Sequence, residues 1–329
     1  MLYDNHGRKL NYLRLAITDR CNLRCTYCMP EKGINFVHRK DLLSYEEMLD
    51  LCSLLAEMGI EKVRITGGEP FVRKGAMDFI EKLSLIKGIN EIHLTTNGVS
   101  TLENIPRLKA IGLAGVNLSL DTLNREKFIQ ISRRDHLAQV METFHAFLDA
   151  GIKTKINMVV MDGVNDDEII SMAELTRQYP VQVRFLEEMP FNGGSKKASE
   201  HWNHTKILNH LKTAFPFIIQ KETRQNATST DYQIPGAVGY LGIIASFSRT
   251  FCGTCNRIRI TPQGQLKTCL YGDGVLNIRD LMRETNNDHE IIKSAFLKAF
   301  GNRAKDGHEA EKNRIDGSSV SESMSSIGG

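Results

Sequence analysis

No run of apolar residues in this chain of 329 residues comes near the roughly 18 that a bilayer span requires; the longest, around "GYLGIIA", is far shorter. No charged, apolar and small-residue leader opens the sequence either, so a cytoplasmic protein with no membrane association is expected. Charge of one sign is also scarce. Lys and Arg number 42 against 39 Asp and Glu, a net charge of +3. That is too mild to mark a nucleic-acid binder, and any basic site must be local. The phosphate-cradling pattern G-x-x-x-x-G-K followed by Ser or Thr is absent. A bound phosphate would therefore have to be met by side chains, a task that suits forked, permanently charged guanidiniums.

What is present is a globular composition, 41% hydrophobic and 25% charged, sufficient for a large core and, by length, about two domains. Seven cysteines stand at 21, 25, 28, 52, 252, 255 and 269. In a reducing compartment, two tight groups of three read as ligands of a metal or cluster rather than as a disulfide frame. Cys52 stands apart. In "SYEEMLDLCSLLAEMG" it shares a helical face with Met48, Leu51, Leu55 and Met58, with Ser44 and Glu47 as a capping box and Gly59 as the stop, so it reads as a core filler.

The segments "YLRLAIT", "KVRIT", "EIHLTT", "GVNLSL", "TKINMVV" and "VQVRFLEEM" have the look of strands. Between several of them lie amphipathic helices: "AMDFIEKLSLI", "HLAQVMETFHAFLDAG" and "NDDEIISMAELTRQY", the last beginning at Asn165. Six βα units predict an α/β fold with a parallel sheet covered by helices, and a ligand site at the C-terminal ends of the strands. Periodicity alone leaves open whether that sheet is flat or curled. A polar break at "FNGGSKKASEHW" separates residues 1–195 from a smaller region, 196–300, with shorter β-like runs. Residues 301–329 are charged and Ser-rich, and are expected to form a mobile tail.

Cys21, Cys25 and Cys28, spaced C-x3-C-x2-C, follow the end of the first strand at Thr18. Thiolates suit iron and sulfide as well as zinc. A structural zinc site closes with four ligands, whereas this group has three cysteines and no nearby His, so one coordination position is left for a ligand. "GGEP", Gly67 to Pro70, directly follows the strand "KVRIT"; taken alone it is a simple βα turn. The second group, Cys252, Cys255 and Cys269, is spaced C-x2-C-x13-C. Alone it would suggest a zinc ribbon missing a ligand or an accessory cluster. Arg257 and Arg259 in "CNRIRI" alternate onto one strand face beside it; an isolated R-x-R would be a solvated edge.

The first cysteine motif, with Tyr27 before its third cysteine, resembles that of the radical S-adenosylmethionine (SAM) superfamily. The stretches "YLRLAITDRCNLRCTYCMP", "VRITGGEPFVRK", "LTTNG", "NLSLDTL" and "FCGTCNRIRITPQGQLKTCLYGDG", with the terminal "GG", narrow the resemblance to the GTP 3′,8-cyclase family that opens molybdenum cofactor biosynthesis. It runs from about Tyr3 to Gly329. What it implies is a partial (βα)6 TIM-like barrel whose open side is closed by the smaller C-terminal region, and two 4Fe-4S clusters, one on each cysteine trio. SAM would be contacted by Tyr27, Gly68, Ser119 and Met189. GTP would be contacted by Arg14, Arg64, Thr95, Lys155 (with Lys153 as the fallback), Arg257, Ile258 and Arg259. Gly328 and Gly329 would thread into the barrel.

The implied reaction begins when an unidentified low-potential electron donor reduces the first cluster. SAM is then cleaved to methionine and a 5′-deoxyadenosyl radical, which takes hydrogen from C3′ of GTP; the sugar radical closes on C8 of guanine. The implied downstream partner is a cyclic pyranopterin monophosphate synthase, and the sequence leaves open whether two copies pair as a homodimer. The chain departs from the family pattern before its closing Gly-Gly, with Glu322 where the family has an Arg and Asp306 near its Pro. Two rivals remain: a radical SAM maturase acting on a peptide, and a zinc-stabilised nucleic-acid-binding module.

Overall fold

The computed structural model describes residues 1–189, 201–222, 225–314 and 323–327. All six expected strands form: β1 (Tyr12–Ala16), β2 (Lys62–Thr66), β3 (Glu91–Thr96), β4 (Gly115–Ser119), β5 (Thr154–Val160) and β6 (Gln182–Glu187). They lie side by side in parallel, in chain order. The later region adds β7 (Ile219–Gln220), β8 (Thr230–Gln233), β9 (Tyr240–Ile244), β10 (Arg257–Ile260), β11 (Gln265–Lys267) and β12 (Leu276–Asn277). These join both edges of the same sheet. β9 pairs parallel with β6 and β10 parallel with β1, while β8–β7 and β11–β12 continue outward antiparallel.

The described strands and helices after residue 195 therefore share one sheet, and both cores, with the first half. Ile258, Ile260, Leu266, Ile278, Phe296 and Phe300 pack into the cluster formed by Leu13, Leu15, Val63 and Ile65. Ile207, Leu211 and Leu241 pack with Ile156, Val183 and Phe185. Along the strands, period-two alternation sends apolar side chains outward to the helices and the intervening polar ones inward. Inner-face residues of β10, β1 and β6 line one cavity, so the sheet curls into a partial barrel.

Helix α1 (Tyr45–Met58) is built as its sequence predicts. Ser44 Oγ accepts from the Glu47 amide at 3.1 Å, Glu47 Oε2 accepts from the Ser44 amide at 2.7 Å, and Gly59 ends the helix at φ 114°. Cys52 is fully buried on its inner face. The helix expected from Asn165 starts properly at Ile169. Asn165 instead turns inward: its Oδ1 accepts from the Met161 amide, and its Nδ2 donates to the carbonyls of Asp121 and Val159. It thus ties the ends of β4 and β5 together. Of the C-terminal segment, residues 301–314 and 323–327 are described, and they contain helix. Asp306 caps a helix over Gly307–Lys312, and Met324–Ile327 form a short helix with Ile327 buried. Among the described residues no helix is long and apolar enough to cross a membrane.

Candidate functional site

At the C-terminal end of β1 the chain enters the first cysteine loop, and the Gly67–Pro70 turn is pressed against it. The Gly68 amide donates to the Thr18 carbonyl at 2.7 Å, and the Glu69 amide to the Arg20 carbonyl at 2.8 Å. A Cβ on Gly68 would stand 2.2 Å from the Arg20 oxygen, and one on Gly67 would stand 2.5 Å from the Thr18 oxygen. Both contacts are backbone, so neither can yield without moving the loop. Gly68→Ala is expected to cost about 1–3 kcal/mol of stability, as overpacking does, and to lower the iron held after anaerobic reconstitution. Unchanged melting and full iron would show that the turn adjusts freely.

Glu69 is wholly buried, and burial raises its carboxyl to about 7 although it accepts from the Asn97 amide (2.7 Å) and Thr96 Oγ1 (2.9 Å). Asn97, so fixed, directs its Nδ2 to Cys21 Sγ at 3.6 Å and to Asn22 Oδ1 at 2.7 Å. Burial raises the thiols of all three cysteines, that of Cys21 to about 11 and that of Cys28 to about 12. They would become thiolates on meeting a metal centre, which deprotonates a coordinating thiol outright. Tyr27, between them, donates to Asp121 Oδ2 at 2.8 Å, and Asp121 Oδ1 accepts from the Val159 amide. Burial raises the Asp121 carboxyl to about 6.

The second trio lies on a short helical turn, Cys252–Thr254, on Cys255 and on the strand-following Cys269. Burial alone would raise Cys255, but the Arg257 and Arg303 guanidiniums bring it down to about 6. Among the described residues no group of three or more His, Cys, Asp or Glu is drawn in tightly enough for a single metal ion. A cuboidal cluster offers a separate iron to each thiolate and suits such wider spacing.

Both trios line one cavity of about 300 Å³. Its wall carries buried polar atoms without hydrogen-bond partners: Nε of Arg14, Nε and Nη2 of Arg184, Nε of Arg257, Nη1 of Arg259, and Oδ1 of Asn117 and Asn157. Burial and mutual repulsion lower the arginines at 14, 184 and 259, that of Arg184 to about 10. Several guanidiniums crowded in a low-dielectric cavity with N–H groups to spare are a receptor for a polyanion.

Of the residues singled out from sequence, the six cysteines of the two trios, Tyr27, Gly68, Ser119, Met189, Arg14, Thr95, Arg257 and Arg259 all meet on this cavity. Ile258, Arg64, Lys155 and its fallback Lys153 do not reach its wall. Ile258 points the other way, into the outer core, as alternation along β10 demands. Arg64 is committed to the Tyr12 hydroxyl (2.6 Å) and the Leu94 carbonyl (2.9 Å). Lys155 lies one pleat deeper than Asn157, its amine lowered to about 8 by burial and by Arg184 and Arg64; Lys153 is exposed ahead of the strand. Gly328 and Gly329 lie outside the described residues, but Met324 and Ser325 just before them are on the cavity wall, and Ser323 Oγ donates to the Cys28 carbonyl at 2.8 Å. Sequence reasoning passed over Asn97, Asn117, Asp121, Asn157 and Arg184. For Asn117, Asn157 and Arg184 the available signal was a polar residue at an inward position between apolar neighbours in a strand.

A curled parallel sheet with a three-cysteine loop after its first strand and a glycine turn against that loop defines a radical SAM enzyme. The profile of the radical SAM superfamily matches residues 15–176, and that of the molybdenum cofactor synthesis C domain matches residues 181–309. The fold is shared with SuiB from Streptococcus suis bound to S-adenosylmethionine (TM-score 0.59, 15% identity, 82% of this chain and 62% of that one). The chain is 40% identical over 333 residues to the GTP 3′,8-cyclase of Peptoclostridium acidaminophilum, covering 100% of this chain and 98% of that protein. It is 40% identical over 293 residues to molybdenum cofactor biosynthesis protein 1 of Mus musculus, covering 89% of this chain and 46% of that one; it spans about half the length of that relative. The chain belongs to the GTP 3′,8-cyclase family. An iron–sulfur cluster and SAM come with that membership, and the half-buried cysteine trio beside a turn too tight for any side chain fits them.

Proposed function

We propose that this chain cyclises GTP to 3′,8-cyclo-7,8-dihydro-GTP. Its first 4Fe-4S cluster would sit on Cys21, Cys25 and Cys28, and its second on Cys252, Cys255 and Cys269. The observation that supports this most is the set of unpaired guanidinium nitrogens of Arg14, Arg184, Arg257 and Arg259, facing the same cavity as both trios. A triphosphate is the ligand those groups lack, and SAM, the family's other reactant, would lie beside the first trio.

The reduced first cluster with SAM supplies a 5′-deoxyadenosyl radical when bound. The chain's own residues do the rest by position. Arg257 and Arg259 on β10 and Arg14 on β1 grip the triphosphate from one side, with Arg184 on β6 opposing them. Thr95, Asn117 and Asn157 offer hydrogen bonds to the nucleotide between those walls. Tyr27, Gly68, Ser119 and Met189 hold SAM against the first trio, Gly68 by letting its backbone approach where no side chain could fit. The curled sheet around the cavity would limit the access of water to the reacting carbon. A low-potential reductant supplies the electrons, and the product passes to a cyclic pyranopterin monophosphate synthase.

Anaerobic incubation of reconstituted protein with GTP, SAM and dithionite is expected to yield 5′-deoxyadenosine together with an isomer of GTP. Formation of 5′-deoxyadenosine at the same rate without GTP, with GTP recovered unchanged, would overturn the assignment.

A further inference from the structure

We infer that Arg303 is a positioning residue of the second cluster: it clamps the backbone around Cys255, places a fixed positive charge on its sulfur and so raises the reduction potential of the group held there. This inference rests on the proposal that Cys252, Cys255 and Cys269 hold a cluster.

Arg303 follows the helix His289–Phe300 and is only 4% exposed. Every N–H of its guanidinium is used. Nε donates to the Thr268 carbonyl (2.9 Å), one residue before Cys269. Nη1 donates to the Cys255 carbonyl (2.9 Å) and to Asp4 Oδ2 (3.1 Å). Nη2 donates to the Arg257 carbonyl (2.9 Å) and to Cys255 Sγ (3.3 Å). One side chain thus fixes two of the three ligating segments and the strand that carries the triphosphate arginines. Lysine, with a point charge on a flexible stem, could not make this set of contacts.

The N-terminal segment completes the clamp. Asp4 is buried, and it also accepts from Arg8 Nε at 2.7 Å. Arg8 in turn donates to the Cys252 carbonyl at 3.3 Å. The Asn5 side chain accepts from the Arg303 amide, and His6 Nε2 is 2.9 Å from the Arg303 carbonyl. Residues from both ends of the chain therefore converge on the second trio, none of them a ligand. Reduction adds a negative charge to a thiolate-bound cluster, and a hydrogen-bonded cation on one sulfur favours the reduced state. Asp4 opposes that field.

The test uses full-length protein in which Cys21, Cys25 and Cys28 are alanine, so that any iron and any spectrum come from the second trio. This background is expected to hold about four iron atoms per chain; with none, the second-cluster reading fails and this inference fails with it. In that background Arg303→Gln is expected to lower the midpoint potential by about 59 mV, a tenfold change in the oxidised-to-reduced ratio for one electron, and to shift the electron paramagnetic resonance of the reduced cluster. Arg303→Lys should recover part of the potential. Asp4→Asn should move it upward, an opposite sign that general damage to the fold would not give, and this variant decides the matter if Arg303→Gln loses its iron. Four irons retained with the potential unmoved in Arg303→Gln, or a downward shift in Asp4→Asn, would overturn the inference.

Discussion

Replacing Cys21, Cys25 and Cys28 together by alanine is expected to halve the iron of anaerobically reconstituted protein, from about eight atoms per chain to about four, and to abolish cleavage of SAM. The converse replacement of Cys252, Cys255 and Cys269 should also leave about four irons, yet SAM should still be cleaved slowly while conversion of GTP is lost. The asymmetry follows from the cavity wall. The first trio stands beside Gly68 and Tyr27, whereas the second stands beside Arg257 and Arg259. Full iron in either triple variant would contradict two separate cluster sites.

The second large effect concerns charge. Arg257→Ala and Arg259→Ala are each expected to weaken GTP binding by about 1.5–3 kcal/mol, the range for hydrogen bonds to charged groups, or roughly tenfold to more than a hundredfold. Guanosine, which has no phosphates, should bind as well as before or better, since each substitution relieves repulsion among guanidiniums buried side by side. Arg184→Ala should behave in the same way from the opposite wall. Isothermal titration with both ligands separates the cases: equal losses for GTP and guanosine would mean a damaged barrel or cluster rather than a lost phosphate contact.

How much of this could be read from the residues depended on whether the information was local. The six strands and the capping box at Ser44 and Glu47 are written within a few positions, as are the two cysteine trios, and each stands where its pattern put it. Arg257 and Arg259 were legible because they alternate next to cysteines. Ile258 between them was carried along by the motif, although strand geometry sends it to the other face.

The pairing of β10 with β1 and of β9 with β6 was not legible. Each joins segments far apart in the chain, and no short run of residues encodes a distant neighbour. Without that pairing the C-terminal region looks like a separate small unit rather than the two outer walls of one barrel. Arg184 and Arg64 have the same appearance in sequence, an arginine within an apolar strand, yet one has unpaired nitrogens facing the cavity and the other is bonded to Tyr12 and Leu94. Arg303 is 48 residues from the cysteine whose sulfur it touches, and only the folded chain brings them together.

The measurement that tests the account most directly uses GTP deuterated at C3′, incubated anaerobically with the protein, unlabelled SAM and a reductant, with mass analysis of the products. Both trios line one cavity, so under the proposed function the hydrogen lost from C3′ should be found in 5′-deoxyadenosine. The account predicts 5′-deoxyadenosine carrying one deuterium, alongside a cyclised nucleotide that has lost it. Unlabelled 5′-deoxyadenosine, with the deuterium still in intact GTP, would contradict it.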